Sequence, residues 1–251
     1  MHPQTRREAM IVHRQGGAST DWILGALVAF GLLLPAAPRA AEARPNRSIS
    51  IAAARGLPLG SRATVEGIVS TPSGAFASSF FDAGFGMQDG RAGIYVSLQV
   101  DVHVVPGDRV RVSGMLADSF GLLVLLPDAP GDVDRQRHEH PPEGRRVATG
   151  AVGESTEGLL VTVRATITRA PVADDDFGFK LFVNDGSGEL QIFVNLQTGI
   201  DVRSLADGQK VKITGFSSQF EADYEIDPRF PPDLVSLKTS DDDGSCESNE
   251  R

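Results

Sequence analysis

The sequence predicts an all-β protein made of two small five-stranded barrels in tandem. Its 251 residues include 27 Gly and 15 Pro but only 6% aromatic residues, a composition typical of short strands joined by turns. Apolar and polar residues alternate in stretches such as Arg109–Val112 and Lys210–Ile213, and this period of two indicates half-buried strands. The third observation is an internal repeat with a period of about a hundred residues, the size of one small domain.

The repeat consists of four pairs of matching blocks. Phe85–Gly90 matches Leu181–Gly186, Ile94–Val96 matches Ile192–Val194, Gly107–Gly114 matches Asp207–Gly215, and Ala63–Val69 matches Val161–Ile167. The period is too long for a solenoid, so it indicates two copies of one domain.

Each copy is predicted to contain five strands. They fall near 62–69, 84–88, 93–98, 109–115 and 121–126 in the first copy, and near 160–168, 178–184, 189–195, 210–216 and 222–228 in the second. Asp89-Gly90 and Asp185-Gly186 predict tight hairpins between the second and third strands, because glycine accepts a positive φ. Ser50 is expected to cap a short helix over 51–55 that ends at Gly56. Five antiparallel strands with one tight hairpin favour a small closed barrel.

Residues 1–43 predict a signal peptide rather than part of a barrel. Arginines precede an apolar run over Trp22–Leu34, and the small residues Ala41 and Ala43 follow it. The run is too short to span a bilayer unaided but suits a signal-peptide core. The alternative is an uncleaved membrane anchor. We therefore expect an exported protein, periplasmic or secreted, with no stable membrane insertion after signal cleavage.

The remaining boundaries follow from composition. Residues 128–144 contain Pro130, Pro141 and Pro142 and are predicted to link a first domain (44–127) to a second (145–238). Residues 239–251 are acidic, lack apolar periodicity and are expected to form a disordered tail that carries the single cysteine, Cys246.

Composition and motifs exclude several classes of protein. A net charge of −9 excludes a strongly basic nucleic-acid platform, and one cysteine excludes a disulfide scaffold or a Cys-based zinc site. The sequence contains no nucleophile elbow, P-loop, dinucleotide fingerprint or His-Glu-x-x-His motif, so we expect a non-enzymatic protein without a cofactor. His138-Glu139-His140 is expected to be a solvated part of the linker, and Asp174–Asp176 an exposed acidic loop, because neither has the ligand spacing of a metal site.

Four blocks of the first copy resemble an OB-fold domain common in exported bacterial proteins: Ser50–Val69, Phe85–Asp89, Gly90–Val96 and Gly107–Gly114. The resemblance covers nearly all of 48–126 and, more loosely, 150–237. It implies OB-fold-like Greek-key barrels. In that family the module often lies beside extracellular nucleases, phosphodiesterases or nucleotidases and is often taken to bind nucleic acid. Two departures are that no catalytic domain follows and that Gln99–Pro106 is too short for the usual OB helix.

A ligand face is predicted on the second copy, because OB folds bind across strands two and three and their flanking loops. Alternation places one set of residues inside the barrel: Val161, Val163, Ala165, Phe179, Leu181, Val183, Leu190, Ile192 and Val194. The outward set is then Arg164, Lys180, Phe182, Gln191 and Phe193. Two aromatic rings beside two cations suit a surface that stacks bases, at about 1–3 kcal/mol per base. The matching positions of the first copy, Glu66, Gly86, Gln88 and Tyr95, form a poorer surface.

The function expected from this face is an accessory module that binds single-stranded nucleic acid. Phe182 and Phe193 would stack bases while Arg164 and Lys180 contact phosphates. Residues 136–238 hold 11 basic and 16 acidic side chains, which argues against a polyanion.

Several alternatives stay open. The same rings could form the seam between the barrels or a contact with a protein partner. A periplasmic protein-interaction or envelope-stress OB-fold module is therefore the main alternative. A glycan or small-molecule ligand, and a metal-assisted phosphoesterase using Asp174–Asp176, are further interpretations.

Overall fold

The computed structural model describes residues 47–237 and shows a nearly all-β protein with one sheet of six strands and one of seven. The predicted signal peptide (1–43) and acidic tail (239–251), with Cys246, lie outside the described residues. No helix within the described residues is long and apolar enough to cross a membrane. The prediction of an all-β fold is confirmed.

The first barrel begins with the short helix α1 (Ile51–Arg55), capped at its N-terminus by the Ser50 hydroxyl as predicted. Its strands are β1 (Arg62–Val69), β2 (Phe85–Gln88), β3 (Gly93–Val96), β4 (Asp108–Ser119) and β5 (Leu122–Leu126). They lie in the order β1-β2-β3-β5-β4, and β4 pairs back onto β1. The β3–β5 pair is parallel and the others are antiparallel. This is the closed Greek-key barrel of the OB fold.

The segment between the barrels contains more structure than the predicted linker. Strand β6 (Val133–His138) pairs antiparallel with β4, and β7 (Arg145–Arg146) pairs with the first strand of the second barrel. Part of the predicted linker (128–144) is therefore a strand of the first sheet.

The second barrel repeats the first. Its strands are β8 (Leu160–Asp174), β9 (Gly178–Asn184), β10 (Glu189–Asn195), β11 (Lys210–Phe220) and β12 (Asp223–Asp227), followed by β13 (Leu234–Ser236). They lie in the order β8-β9-β10-β12-β11, with β11 paired to β8 and β10 parallel to β12. All ten predicted barrel strands are present. Three of them (β4, β8 and β11) extend beyond the predicted ends. Each stays paired there with the strand that follows it in the sequence.

A sixth strand completes each copy. β13 pairs with β11 as β6 pairs with β4. A 3-10 turn precedes each of these strands, Pro130–Asp132 before β6 and Pro231–Asp233 before β13. The turn aspartates accept backbone N–H groups from Ala129 and Arg229. The repeat therefore extends through His138 and Ser236, and the two Pro-x-Asp sequences, about a hundred residues apart, were its signal.

Each barrel has its own apolar core. The residues predicted to point inward in the second copy all lie in its core, with Phe179 partly buried at the edge. The first core contains Val65, Val69, Phe85, Val110 and Val112 among others. Inward alternation along each strand is thus confirmed in both copies.

A third apolar cluster joins the barrels. Phe216 on β11 is fully buried against Phe76, Tyr95, Leu122 and Val124 of the first barrel. The Phe216 ring centroid lies 5.7 Å from that of Phe76 and 5.8 Å from that of Tyr95. Gly86 allows this approach, because a Cβ there would lie 2.7 Å from the Phe216 ring.

Polar contacts surround this cluster. The backbone N–H of Leu160 donates to Gln88 Oε1 at 2.9 Å, and Arg55 donates to Glu157 Oε1 at 3.0 Å. Next to them the main chains touch directly, since a Cβ on Gly93 would lie 1.8 Å from the Gly158 carbonyl oxygen. The two barrels therefore form one compact unit.

We expect Phe216→Ala to lower the free energy of unfolding by about 3–5 kcal/mol, because it empties a buried site for an aromatic ring. Urea denaturation measures this loss. Phe81→Ala is a matched control: Phe81 is 55% exposed, so its loss should stay below about 1 kcal/mol. A loss as small as this in Phe216→Ala would show that the third cluster contributes little to stability.

The pH dependence of stability should show a contribution from Glu157. Its side chain is 1% exposed, and burial raises its pKa although the Arg55 guanidinium lowers it. A raised pKa means that the folded state binds the proton more tightly than the unfolded chain. The free energy of unfolding then falls as pH rises from the ordinary glutamate pKa through the raised one.

Comparison with Glu157→Gln between pH 4 and 7 isolates this group. The wild-type free energy of unfolding minus that of the variant should decrease as pH rises. Glu154→Gln is the control, because Glu154 contacts the same arginine but its side chain is 73% exposed. A difference that stays flat or grows with pH would contradict the raised pKa.

Candidate functional site

The candidate site is a basic surface on the outside of the second barrel. Alternation along β8 turns Thr162, Arg164 and Thr166 outward, opposite to the core residues between them. Lys212 on β11 pairs directly with Arg164, and Lys210 pairs with Thr166. On the other side of β8, Arg146 of β7 pairs with Thr162. We call Arg146, Arg164, Lys210 and Lys212 the basic face.

The charges of the basic face are not balanced by local carboxylates. Within residues 47–237, none of the four cations forms an ion pair. Arg164 and Lys212 lie directly opposite each other, and like charges in that position destabilise a β ladder. The arrangement has an unfavourable electrostatic energy that a bound anion would relieve.

The first barrel shows the same position with its charges paired. A hydroxyl bond of 2.8 Å marks the position in both copies, between Thr64 and Ser113 in one and between Thr162 and Thr214 in the other. Two residues further along the strand, Glu66 pairs with Arg111 and lies 3.9 Å from it. The second copy has Arg164 where the first has Glu66, so one change of sign separates a paired surface from a basic one.

Two shallow cavities lie along the basic face and share Arg164. One, of about 300 Å³, is lined by Arg146, Val147, Ala148, Arg164 and Asp185. The other, of about 410 Å³, is lined by residues including Arg164, Thr166, Lys210 and Leu237. Together they form a groove that runs from Arg146 past Arg164 to Lys210.

Asp185 is the acidic residue that lines both cavities. Its carboxylate accepts hydrogen bonds from the side chain and backbone of Ser187 and of Thr149. These bonds hold the pKa of Asp185 well below its usual range. Its oxygens are engaged in fixing the turn between β9 and β10, and it forms no ion pair with the cations.

Of the predicted site residues, only Arg164 lies on the basic face. Lys180 is half-buried and forms an ion pair of 3.2 Å with Asp174. Phe182 is half-buried, and the Arg169 guanidinium covers its ring at 3.3 Å from the centroid. Gln191 donates to Glu225 Oε2 at 2.5 Å.

Phe182 and Gln191 line a separate cavity of about 510 Å³. Its other lining residues include Arg169, Glu189, Asp223 and Tyr224. The surface over strands two and three of the second barrel therefore contains carboxylates and the ring of Phe182, which Arg169 covers.

The prediction that Phe193 points into solvent is wrong, because Phe193 is only 2% exposed. Lys180 lies over its ring at 5.9 Å, and β10 is buried on both faces from Ile192 to Asn195. Near this end of the hairpin, Phe81 of the first barrel packs against Phe177, with the ring centroids 6.0 Å apart. Alternation correctly placed Phe193 outside the barrel but could not show that other residues cover it.

The predicted exposure of Tyr95 is also wrong, because Tyr95 is fully buried between the barrels. Its hydroxyl donates to Asp82 Oδ1 at 2.8 Å, and burial and the Asp82 charge raise the pKa of Tyr95 well above its usual value. The second barrel packs against strands two and three of the first, the surface that an OB fold normally offers to a ligand.

The predicted site did not include Arg146, Lys210 and Lys212. The signal for the two lysines was in the repeat, where Lys210 and Lys212 align with Arg109 and Arg111. Arg146 gave no signal, because it lies on a short strand that follows the expected linker.

In the His138-Glu139-His140 sequence, the side chains of His138 and Glu139 contact different partners. His138 Nδ1 lies 3.0 Å from Asp108, while Glu139 bonds Arg109 and Arg137. Among the residues that the structure describes, no group of three or more His, Cys, Asp or Glu side chains could hold a metal ion.

Comparisons with known proteins give a distant likeness to solved structures. No family model and no curated protein sequence matches the chain. A murine DNA-binding protein bound to double-stranded DNA is 12% identical, with 70% of this chain and 96% of that chain covered and a TM-score of 0.37. Fission yeast Pot1 with single-stranded DNA is 10% identical, with 76% and 88% covered and a TM-score of 0.35. The tetrameric p202 HIN2 is 11% identical, with 72% and 96% covered and a TM-score of 0.35. These scores are low, and the OB-fold assignment rests on the strand order instead.

Reversing the charge of residue 164 tests whether repulsion between Arg164 and Lys212 lowers the stability of the protein. Arg164→Glu creates the pair found in the first barrel, so we expect the free energy of unfolding to rise by about 0.5–1 kcal/mol at low salt. Glu66→Arg is the reciprocal variant and should lose a similar amount. Urea denaturation at low and high salt measures both changes, and both should shrink as salt screens the charges. A loss of stability in Arg164→Glu would contradict the inferred repulsion between Arg164 and Lys212.

Proposed function

We propose that the protein is an exported, non-enzymatic OB-fold module that binds single-stranded nucleic acid through the basic face of its second barrel. The observation that supports this proposal most directly is the unpaired juxtaposition of Arg164 and Lys212. An anion placed between them would replace a repulsion with two favourable contacts. Phosphate oxygens fit this requirement, because both side chains are common phosphate ligands.

The dimensions of the basic face favour one strand of nucleic acid. The face crosses three neighbouring strands, β7, β8 and β11, and neighbouring strands lie about 4.8 Å apart. Along β8 it extends from Thr162 to Thr166, or about 13 Å at 3.3 Å per residue. A footprint of about 10 by 13 Å accommodates a short stretch of one backbone.

Binding by the basic face would be dominated by phosphates. Thr166 lies beside the cations, and its hydroxyl can donate a further hydrogen bond to a phosphate oxygen. No exposed ring lies among the residues that define this groove, so the contacts carry little base preference. Since the whole chain has a net charge of −9, affinity depends on these four local cations. We expect a dissociation constant on the order of 1–100 μM, as for non-specific complexes.

Export is part of the proposal and follows from the apolar run and small residues within 1–43. A periplasmic or secreted location would bring the module into contact with extracellular nucleic acid. The proposal includes an accessory role beside a separate nuclease or nucleotidase, as the family resemblance implies.

Fluorescence anisotropy of a labelled single-stranded oligothymidylate tests the proposal. The protein should bind at low salt, and log K should fall against log salt with a slope of about −2 to −3 for three or four phosphates. Lys210→Gln with Lys212→Gln should weaken binding about tenfold or more and make the slope shallower. Absence of binding at low salt would overturn the proposal.

The matched control is Arg109→Gln with Arg111→Gln in the first barrel. It removes two charges from the aligned positions of β4, where the arginines are paired with Glu139 and Glu66. Affinity should therefore change little. Phe182→Ala should also bind normally, because Arg169 covers that ring. An equal loss in the two double variants would mean that only overall charge matters.

A further inference from the structure

The last described strand brings the chain onto the basic face. In β13, Val235 pairs with Lys212, and the backbone N–H of Leu237 then donates to the Lys210 carbonyl at 2.7 Å. Leu237 also lines the 410 Å³ cavity together with Arg164 and Lys210. The described part of the chain therefore ends at the groove.

The residues that follow are acidic. Residues 239–251 contain Asp241, Asp242, Asp243, Glu247 and Glu250, with Arg251 as the one cation of this segment. Asp241 is four residues beyond Leu237. An extended chain covers about 3.5 Å per residue, so this carboxylate is within about 14 Å of Leu237. That reach matches the length of the basic face.

The first barrel shows the same arrangement with the contact formed. β6 occupies the position of β13, and the residue directly after it is Glu139. Glu139 accepts a hydrogen bond of 2.5 Å from Arg109, which aligns with Lys210. Arg109 and Arg137 lower the pKa of Glu139 to about 2, so it stays ionised. In one copy, therefore, an acid that follows the sixth strand neutralises the cation of the fourth.

We propose that the acidic segment 239–251 is a ligand of the basic face and competes there with nucleic acid. This inference rests on the proposed function, because it concerns the same four cations. A ligand tethered within reach has an effective concentration on the order of mM, so weak ion pairs suffice for competition. Salt weakens these exposed contacts as it weakens binding to phosphate.

The test uses the full chain with its segment neutralised by five substitutions: Asp241→Asn, Asp242→Asn, Asp243→Asn, Glu247→Gln and Glu250→Gln. This variant keeps the length of the chain and every residue of the described fold. We expect it to bind the labelled oligothymidylate at least about fivefold more tightly than wild type at low salt. The difference should shrink at physiological salt.

A second measurement follows the segment directly. A fluorescein-labelled peptide with the sequence of 239–251 is titrated with the neutralised chain, and anisotropy reports binding. The peptide should bind, and the oligothymidylate should displace it. Adding Arg164→Glu and Lys212→Glu to the neutralised chain should abolish peptide binding. A matched peptide with the five acids replaced by amides should not bind.

The outcomes separate this inference from the proposed function. Equal oligonucleotide affinity of wild type and neutralised chain, with no peptide binding, overturns the inference and leaves the proposed function standing. Failure of both chains to bind oligonucleotide overturns the proposed function. In that case peptide binding that depends on Arg164 and Lys212 still supports the segment as a ligand of the basic face, and its absence overturns this as well.

Discussion

The packing of Phe216 against Tyr95 is the contact on which the arrangement of this protein depends. It places β11 of the second barrel across strands two and three of the first, so the surface that an OB fold normally uses for binding becomes a buried interface. The loop that carries Phe76 closes over the same cluster. Because the first barrel is committed to this contact, the binding that we propose involves the second barrel, on a different part of its surface.

The two copies share one framework but differ in the charges on their outward surfaces. Their strand order, sixth strand and hydroxyl pairs are the same, while the charges at a few outward positions differ. Outward positions on β1 and β8 can change sign without disturbing either core, because only the alternate residues pack inside. In the first copy Glu66 forms an ion pair with Arg111. In the second copy Arg164 lies opposite another cation, Lys212.

Most of the fold could be predicted from the sequence because its determinants are local. Alternation located ten strands and the inward residues, and the cap of α1 was evident at Ser50. Exposure could not be predicted in the same way. Alternation shows which side of a strand a residue occupies, but Phe193 and Tyr95 are buried by residues distant in the sequence. Strand β6 was missed because its flanking prolines resemble those of a linker. Alternation within β8 was enough to predict that Arg164 points outward. Its neighbours on β7 and β11 could be identified only once the pairing between these strands was known.

The contact between Gly93 and Gly158 has a consequence for how the protein moves. Here the two barrels meet through main-chain atoms, with no side chain between them that could change rotamer and absorb a small rotation. We therefore expect this contact to restrict changes in the angle between the barrels. We also expect the two barrels to tumble together in solution. Any nucleic acid held by the second barrel would keep a constant orientation relative to the first.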